Sequence, residues 1–142
     1  MEESSQGFEF FEMTADEGLR AWGESMGEAF INAARGMLFL MVDPENLRPI
    51  QSRRIELEAK DRGALLVAWL SELLYLSEVE DFLPVEYDMV HLNEHRLEAN
   101  LKGDILDPAR HSLKGLVKAA TYHRLEVKEA EGKWQVQVVL DV

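Results

Sequence analysis

The segment of residues 64–76 constrains the fold more than any other part of this chain, because apolar side chains occupy nearly all of its positions. A helix of this composition is too apolar to face solvent along one side, and the run is too short to cross a bilayer, which takes about 20 apolar residues. Asp61 stands just upstream as a suitable N-cap. The sequence therefore predicts a helix at the centre of a hydrophobic core, against which the other elements pack.

A second helix is predicted from residue 24 to about residue 41. Its apolar side chains recur at spacings of three and four, which places them on one stripe facing the core: Met26, Ala29, Phe30, Ala33, Ala34, Met37, Leu38 and Met41. Asp43 and Pro44 end this helix, because the residue before a proline is pushed out of helical geometry and the proline ring removes a donor.

The remaining segments alternate between apolar and polar residues, as half-exposed strands do. Strands are predicted at residues 49–59, 85–92, 96–103, 116–130 and 134–140, and two more at residues 8–11 and 19–22. Pro84 is expected to close the connection after the central helix. The 116–130 segment is long for one strand, so we expect a bend near His123 and Arg124. Tight turns join these segments, which is typical of antiparallel pairing.

The predicted fold class is α+β, with two amphipathic helices packed on a mainly antiparallel sheet whose strands come largely from the second half. A chain of 142 residues with 46% apolar content is expected to form a single domain over residues 1–142, with residues 1–7 flexible. The chain has no cysteine, which excludes disulfides, thiolate zinc sites and a cysteine nucleophile.

The charge balance is strongly acidic, with 27 acidic residues against 15 Lys and Arg and a formal net charge of −12. This charge disfavours direct binding to nucleic acid or to an anionic membrane, since both need clustered basic side chains. A protein partner or divalent cations fit the charge better, although acidity can also serve solubility alone. The polar N-terminus has no signal-peptide pattern, so a cytoplasmic location is expected.

Motifs of stand-alone catalysis are absent from the sequence. It has no glycine-rich phosphate loop, no serine in a nucleophile elbow and no histidine pair at the spacing of a zinc protease. His111 and His123 can each be structural or functional. Asp16, Asp43 and Asp141 stand near a turn, a helix end and the last residue, where each can equally be a cap, a turn former or a solvated side chain.

Five blocks of the chain nevertheless form a recognisable pattern. They are FFEMTAD at 10–16 with Gly18 and Trp22-Gly23, MVD at 41–43, ALLVAWLSELLYL at 64–76, HSLKGLVKAATYH at 111–123 and VVLDV at 138–142. In this order, and over nearly the whole length, these blocks resemble the archease family. The family usually has a histidine where this chain has Met13, and a thioether can neither donate a hydrogen bond nor carry a proton at neutral pH.

The resemblance implies a non-catalytic accessory protein. Archeases assist the GTP-dependent RNA ligase of tRNA splicing by promoting guanylylation of the ligase's active-site histidine, which restores turnover. The implied partner is therefore this ligase, with no strong direct binding to nucleic acid and no membrane association. The sequence leaves the oligomeric state open.

The resemblance also implies a divalent-cation site built from Asp16, Asp43 and Asp141, with the terminal carboxylate of Val142 as a further donor. Ligands that are all oxygen suit hard ions, so calcium is the favoured ion and magnesium or manganese are alternatives. Lys118 matches a functionally important lysine of the family, and we expect Lys118 and His123 to serve a partner or the function.

Two other functions stay open on the residues alone. The aspartates could hold a metal that activates water in a small phosphoester hydrolase. The protein could instead be a chaperone-like module for an RNA-modifying enzyme.

Overall fold

The computed structural model describes residues 7–142, so the expected flexibility of residues 1–7 lies, apart from Gly7, outside the described residues. The elements follow the order β1 (Phe8–Glu12), β2 (Asp16–Gly23), α1 (Met26–Met41), β3 (Gln51–Glu58), α2 (Arg62–Glu80), β4 (Phe82–Leu92), β5 (Arg96–Ile105), β6 (Ala119–Ala120), β7 (Glu126–Ala130) and β8 (Lys133–Asp141).

The strands form two antiparallel sheets rather than the one that was expected. In the larger sheet the order is β1-β2-β8, and both β6 and β7 pair with the other side of β8; the smaller sheet has the order β3-β5-β4. The α+β class with two helices is confirmed. The larger sheet, however, draws β1 and β2 from the start of the chain. Alternation in a sequence shows which side chains share a face, but it does not show which strands pair.

The helix α2 is the centre of the core, as predicted. Leu65, Leu66, Trp69 and Leu70 have no exposed surface, and the indole N–H of Trp69 donates to the Phe30 carbonyl of α1 at 2.9 Å. Asp61 is its N-cap and accepts from the Ala64 amide at 2.8 Å. Within residues 7–142, no helix is long and apolar enough to cross a membrane.

The helix α1 begins two positions later than predicted, because Ser25 is its N-cap. Ser25 has extended backbone geometry, and its hydroxyl accepts from the Glu28 amide at 3.1 Å. The helix ends at Met41, as predicted, and Val42 follows with extended geometry.

The expected role of Pro84 as the close of a connection is wrong. Pro84 lies inside β4, opposite Gly103, and the register shifts between Pro84 and Glu86. A proline, which cannot donate a ladder hydrogen bond, is tolerated here because β4 is an edge strand with an irregular register.

The predicted long strand at residues 116–130 is divided, and the expected bend is confirmed. Arg124 has a left-handed backbone (φ 53°) and lies between β6 and β7. Residues 114–118 belong to no strand and form an irregular, largely exposed connection.

Gly103 offers a direct test of the packing between β4 and β5. A Cβ atom at this position would collide with the Leu83 carbonyl oxygen, which is backbone and can move only with its strand. We expect Gly103→Ala to lower the free energy of unfolding by about 2–4 kcal/mol in urea titrations.

The matched control is Gly27→Ala in α1, where the nearest atom to a new Cβ is Met89 Cγ at 3.4 Å. Alanine favours a helix over glycine by about 0.5–1 kcal/mol, so this variant should be neutral or more stable. Equal stability changes in the two variants would contradict the packing described for Gly103.

Candidate functional site

Asp16 and Asp141 are directly opposite each other across two neighbouring strands. Asp16 opens β2, Asp141 ends β8, and the two are partners in the antiparallel register. Partners in such a pair project from the same face, with Cβ atoms about 4.5–5.5 Å apart. The turn that was expected to contain Asp16 ends at Ala15, whose backbone is left-handed (φ 68°). The fold thus brings close together two carboxylates that are 125 positions apart in the sequence.

Residues 112–118, here called the crossing segment, connect this pair to the end of α1. At one end the Asp43 amide donates to the Ser112 carbonyl at 2.9 Å, and at the other the Lys118 amide donates to the Asp141 carbonyl at 2.7 Å. Between these points the Lys114 amide donates to the Met41 carbonyl at 2.9 Å. The crossing segment therefore contacts the backbone at two of the three predicted ligands.

The Asp43 side chain has a local partner. Its carboxylate accepts from the Glu45 amide at 3.0 Å, in the manner of a turn former. Asp43 and Asp141 bond to opposite ends of the crossing segment, which spans up to about 20 Å if extended. The register thus pairs Asp16 with Asp141, while the crossing segment connects Asp141 to Asp43 through the backbone.

The donor chemistry of the predicted metal site suits a hard cation, because every donor is a carboxylate oxygen. Within residues 7–142, however, no three acidic or histidine side chains are close enough together to hold a metal ion. Val142 follows Asp141 directly and is 42% exposed. The cation site and its four donors therefore stay a prediction.

The face of the larger sheet beside the aspartate pair has two arginines stacked on one ring. The Phe11 ring covers Gly18, where any side chain would collide with the ring. The guanidinium of Arg20 lies 4.8 Å from the ring centroid and that of Arg124 lies 5.3 Å from it. Arg124 also contacts the Met13 sulfur at 3.4 Å. Met13 is the residue that stands where a histidine was expected.

His123 lies on the loop between β6 and β7 and is exposed. Its amide donates to the Thr121 hydroxyl at 3.2 Å. Among the described residues, no side-chain contact joins it to Asp16 or Asp141. Its expected functional role stays a prediction.

Lys118 lines a groove that sequence reasoning missed. The groove has a volume of about 640 Å³ and lies between the C-terminal ends of α1 and α2 and the crossing segment. Its polar lining is Ser77, Glu78, Asp81, Lys114 and Lys118, and its apolar lining is Met41, Val42, Leu74, Leu83, Leu106, Leu113, Leu116 and Val117. Leu113 and Leu116 were the only signal of this groove in the sequence, and only the fold shows that α2 lies opposite them.

Asp104 and His111 form a buried pair that sequence reasoning also missed. Their side chains are almost fully buried, and His111 Nε2 lies 3.2 Å from Asp104 Oδ2. The Asp107 amide donates to His111 Nδ1 at 2.9 Å, so Nδ1 accepts and Nε2 carries the hydrogen that it donates to Asp104. The open question about His111 is answered in favour of a structural role.

Burial raises the pKa of the Asp104 carboxyl, but the amides of Arg48 and Ile105 and the Arg110 guanidinium outweigh that effect and hold its pKa below the usual range. The Arg48 amide donates at 3.0 Å, the Ile105 amide at 2.9 Å and Arg110 at 3.3 Å. These bonds anchor the loop that leads into the crossing segment and so position the candidate site.

We expect Asp104→Asn to lower the free energy of unfolding by about 2–4 kcal/mol at neutral pH, because an amide cannot accept all four donors and carries no charge. A carboxyl with a depressed folded pKa contributes stability above its unfolded pKa of about 3.9, and loses it as pH falls through the folded value. The difference between wild type and variant should therefore shrink in urea titrations below about pH 4.

The exposed Asp88 provides the control, and Asp88→Asn should change stability by less than about 0.5 kcal/mol. A difference for Asp104→Asn that stays constant down to pH 2 would contradict the role given to the charge.

Comparison with known proteins places these features in a family. Residues 8–142 match the model of the Archease protein family. The protein archease of Methanosarcina mazei is 37% identical over 144 residues, covering 97% of this chain and 99% of that protein. The protein archease of Thermococcus gammatolerans is 36% identical over 140 residues, covering 95% and 98% respectively.

Two solved structures share the fold. The solution structure of Methanobacterium thermoautotrophicum protein 1598 has a TM-score of 0.78 and 33% identity, and the match covers 96% of this chain and 99% of that one. The crystal structure of an archease and possible chaperone from Thermotoga maritima has a TM-score of 0.64 and 19% identity, with 93% and 94% covered. The second likeness supports the fold alone.

Proposed function

This chain belongs to the archease family, and from that premise we propose that it is a non-catalytic accessory protein of a GTP-dependent RNA ligase. It promotes guanylylation of the ligase and its turnover in tRNA splicing or RNA repair. The observation that carries the proposal within this chain is the pairing of Asp16 with Asp141 in the register of β2 and β8. A surface whose acidity served only solubility would not need two carboxylates at paired positions. The pairing therefore supports a specific acidic centre.

The proposed cofactor is a divalent cation held by Asp16 and Asp141, with calcium favoured and magnesium or manganese as alternatives. Two carboxylates at paired positions repel each other, and a bound cation would offset that repulsion. Asp43 and the Val142 carboxylate are the proposed further donors. When bound, the ion organises the docking surface or helps to position the nucleotide at the ligase.

The net charge of −12 supports docking next to a basic face. An RNA ligase needs such a face for its substrate, and opposite potentials speed the encounter of two proteins. In this proposal the protein binds the ligase, and only the ligase binds the RNA. A chain without cysteine is compatible with the reducing cytoplasm, which is the proposed location.

The central test is single-turnover guanylylation of the cognate ligase with and without this protein. We expect wild type to accelerate guanylylation. Asp16→Asn or Asp141→Asn should reduce that acceleration at least about tenfold, which corresponds to about 1.4 kcal/mol of activation free energy. The same variants should bind calcium more weakly in calorimetric titrations.

Asp88→Asn is the matched control, because Asp88 is an exposed acid on β4 in the other sheet. It should accelerate the ligase as wild type does. No acceleration by wild type would refute the accessory function, while equal acceleration by all variants would keep the function and reject the aspartate site.

Ionic strength tests the steering argument separately. The Debye length falls from about 10 Å at 0.1 M salt to about 3 Å at 1 M, so the association rate with the ligase should fall as salt rises. Stopped-flow mixing across that range measures this rate. A rate that is independent of salt would remove the electrostatic contribution.

A chaperone-like role, which the sequence left open, is the second candidate; the Thermotoga maritima protein of the same fold is named an archease and possible chaperone. In that case this protein would suppress aggregation of its partner stoichiometrically during heating, as measured by light scattering. The guanylylation rate of the folded ligase would then be unchanged by adding it.

A further inference from the structure

We propose that the groove between α1, α2 and the crossing segment binds an apolar segment of the ligase that carries a carboxylate. This proposal rests on the accessory function proposed above and adds a second contact to it, apart from the aspartate pair. The groove volume of about 640 Å³ lies within the range of about 300–1,000 Å³ that is usual for binding pockets.

The leucines at the rim of the groove are exposed although their segment is fixed. Leu113 is 60% exposed and Leu116 is 67% exposed. The backbone around them is held by hydrogen bonds from Lys114 to Met41 and from Lys118 to Asp141. Val117, between these leucines and β6, is buried in the core. The leucines are therefore presented by an anchored backbone rather than by a free loop.

The floor of the groove continues the apolar surface of the rim. Val42 and Leu83 are buried and form a small separate cluster with Leu38, and Leu106 packs against it. An apolar side chain entering from the rim would thus find apolar residues at both the rim and the floor. Such a patch on an otherwise charged protein indicates a site of protein interaction.

The charges at the groove favour a carboxylate on the occupant. Seven of the 15 Lys and Arg side chains of this acidic chain pair with carboxylates: Arg20, Arg53, Arg54, Arg62, Arg96, Arg110 and Lys128. Lys114 and Lys118 have no carboxylate partner among residues 7–142, and the Lys114 ammonium lies instead over the Phe39 ring at 3.4 Å from its centroid.

Glu78 and Asp81 belong to the opposite bank of the groove, at the end of α2. A uniformly acidic segment would be repelled by that bank. The occupant that fits both banks has apolar side chains and a carboxylate on the side of the crossing segment.

The test compares two pairs of exposed apolar residues. The groove variant carries Leu113→Ser and Leu116→Ser, and the control variant carries Ile50→Ser and Val90→Ser, which are 63% and 51% exposed and lie outside the groove. Urea unfolding first confirms that both are folded. Calorimetry then measures the Kd for the ligase, and sedimentation measures the oligomeric state of the free proteins.

We expect the groove variant to bind the ligase at least tenfold more weakly than wild type, and the control variant to bind as wild type does. Lys114→Gln with Lys118→Gln should also weaken binding, which tests the carboxylate. At saturating concentration the groove variant should still accelerate guanylylation fully, because the aspartate pair is intact.

Equal Kd values for the groove and control variants would overturn the proposal. So would a wild-type protein that does not bind the ligase, or leucine substitutions that dissolve a homodimer, since a second copy would then be the occupant. Failure of the accessory function gives a different result, in which wild type binds the ligase but does not accelerate guanylylation. In that case the Kd values of the groove and control variants still show whether the groove is the binding site.

Discussion

The register of β8 is the constraint on which the rest of this structure depends. Val136, Val138 and Leu140 of this strand face the core and are buried, which sets the face of every other residue in the strand. A slip of one position would turn these side chains away from the core and would also separate Asp141 from Asp16. The free energy that stabilises the core thus also maintains the candidate site.

The same strand holds the crossing segment, which connects two surfaces with different proposed roles. Lys118 bonds to the Asp141 carbonyl next to the aspartate pair, while its side chain lines the groove. The start of the segment is positioned by the buried Asp104–His111 pair. A displacement of this one segment would therefore affect both the acidic centre and the groove.

Much of the local structure could be predicted from the sequence. The ends of helices depend on nearby residues, so Asp61 was identified as an N-cap, and the end of α1 at Met41 followed from Asp43 and Pro44. The turn at Glu131 and Gly132 is also local, and both residues have left-handed backbones (φ 55° and 78°). The periodicity of residues 64–76 was enough to place α2 in the core.

Pairing was harder to predict, because alternation is the same for any partner strand. For that reason one sheet was expected where there are two, and Pro84 was placed in a connection although an edge strand accommodates it. Asp104 and His111 gave no signal, because the four donors to Asp104 come from separate positions that meet only after folding. The groove escaped prediction for the same reason, as its two banks come from α2 and the crossing segment.

By itself the sequence determined the two helices, the N-cap of α2, the apolar faces and the resemblance to a family, since these depend on residues a few positions apart. Only the tertiary structure decided that Asp16 lies opposite Asp141, that the Asp43 carboxylate accepts from the Glu45 amide, and that Lys118 lines a groove. The reason is physical: a side chain's distant neighbours are selected by the packing of the whole core, and no short stretch of sequence contains that information.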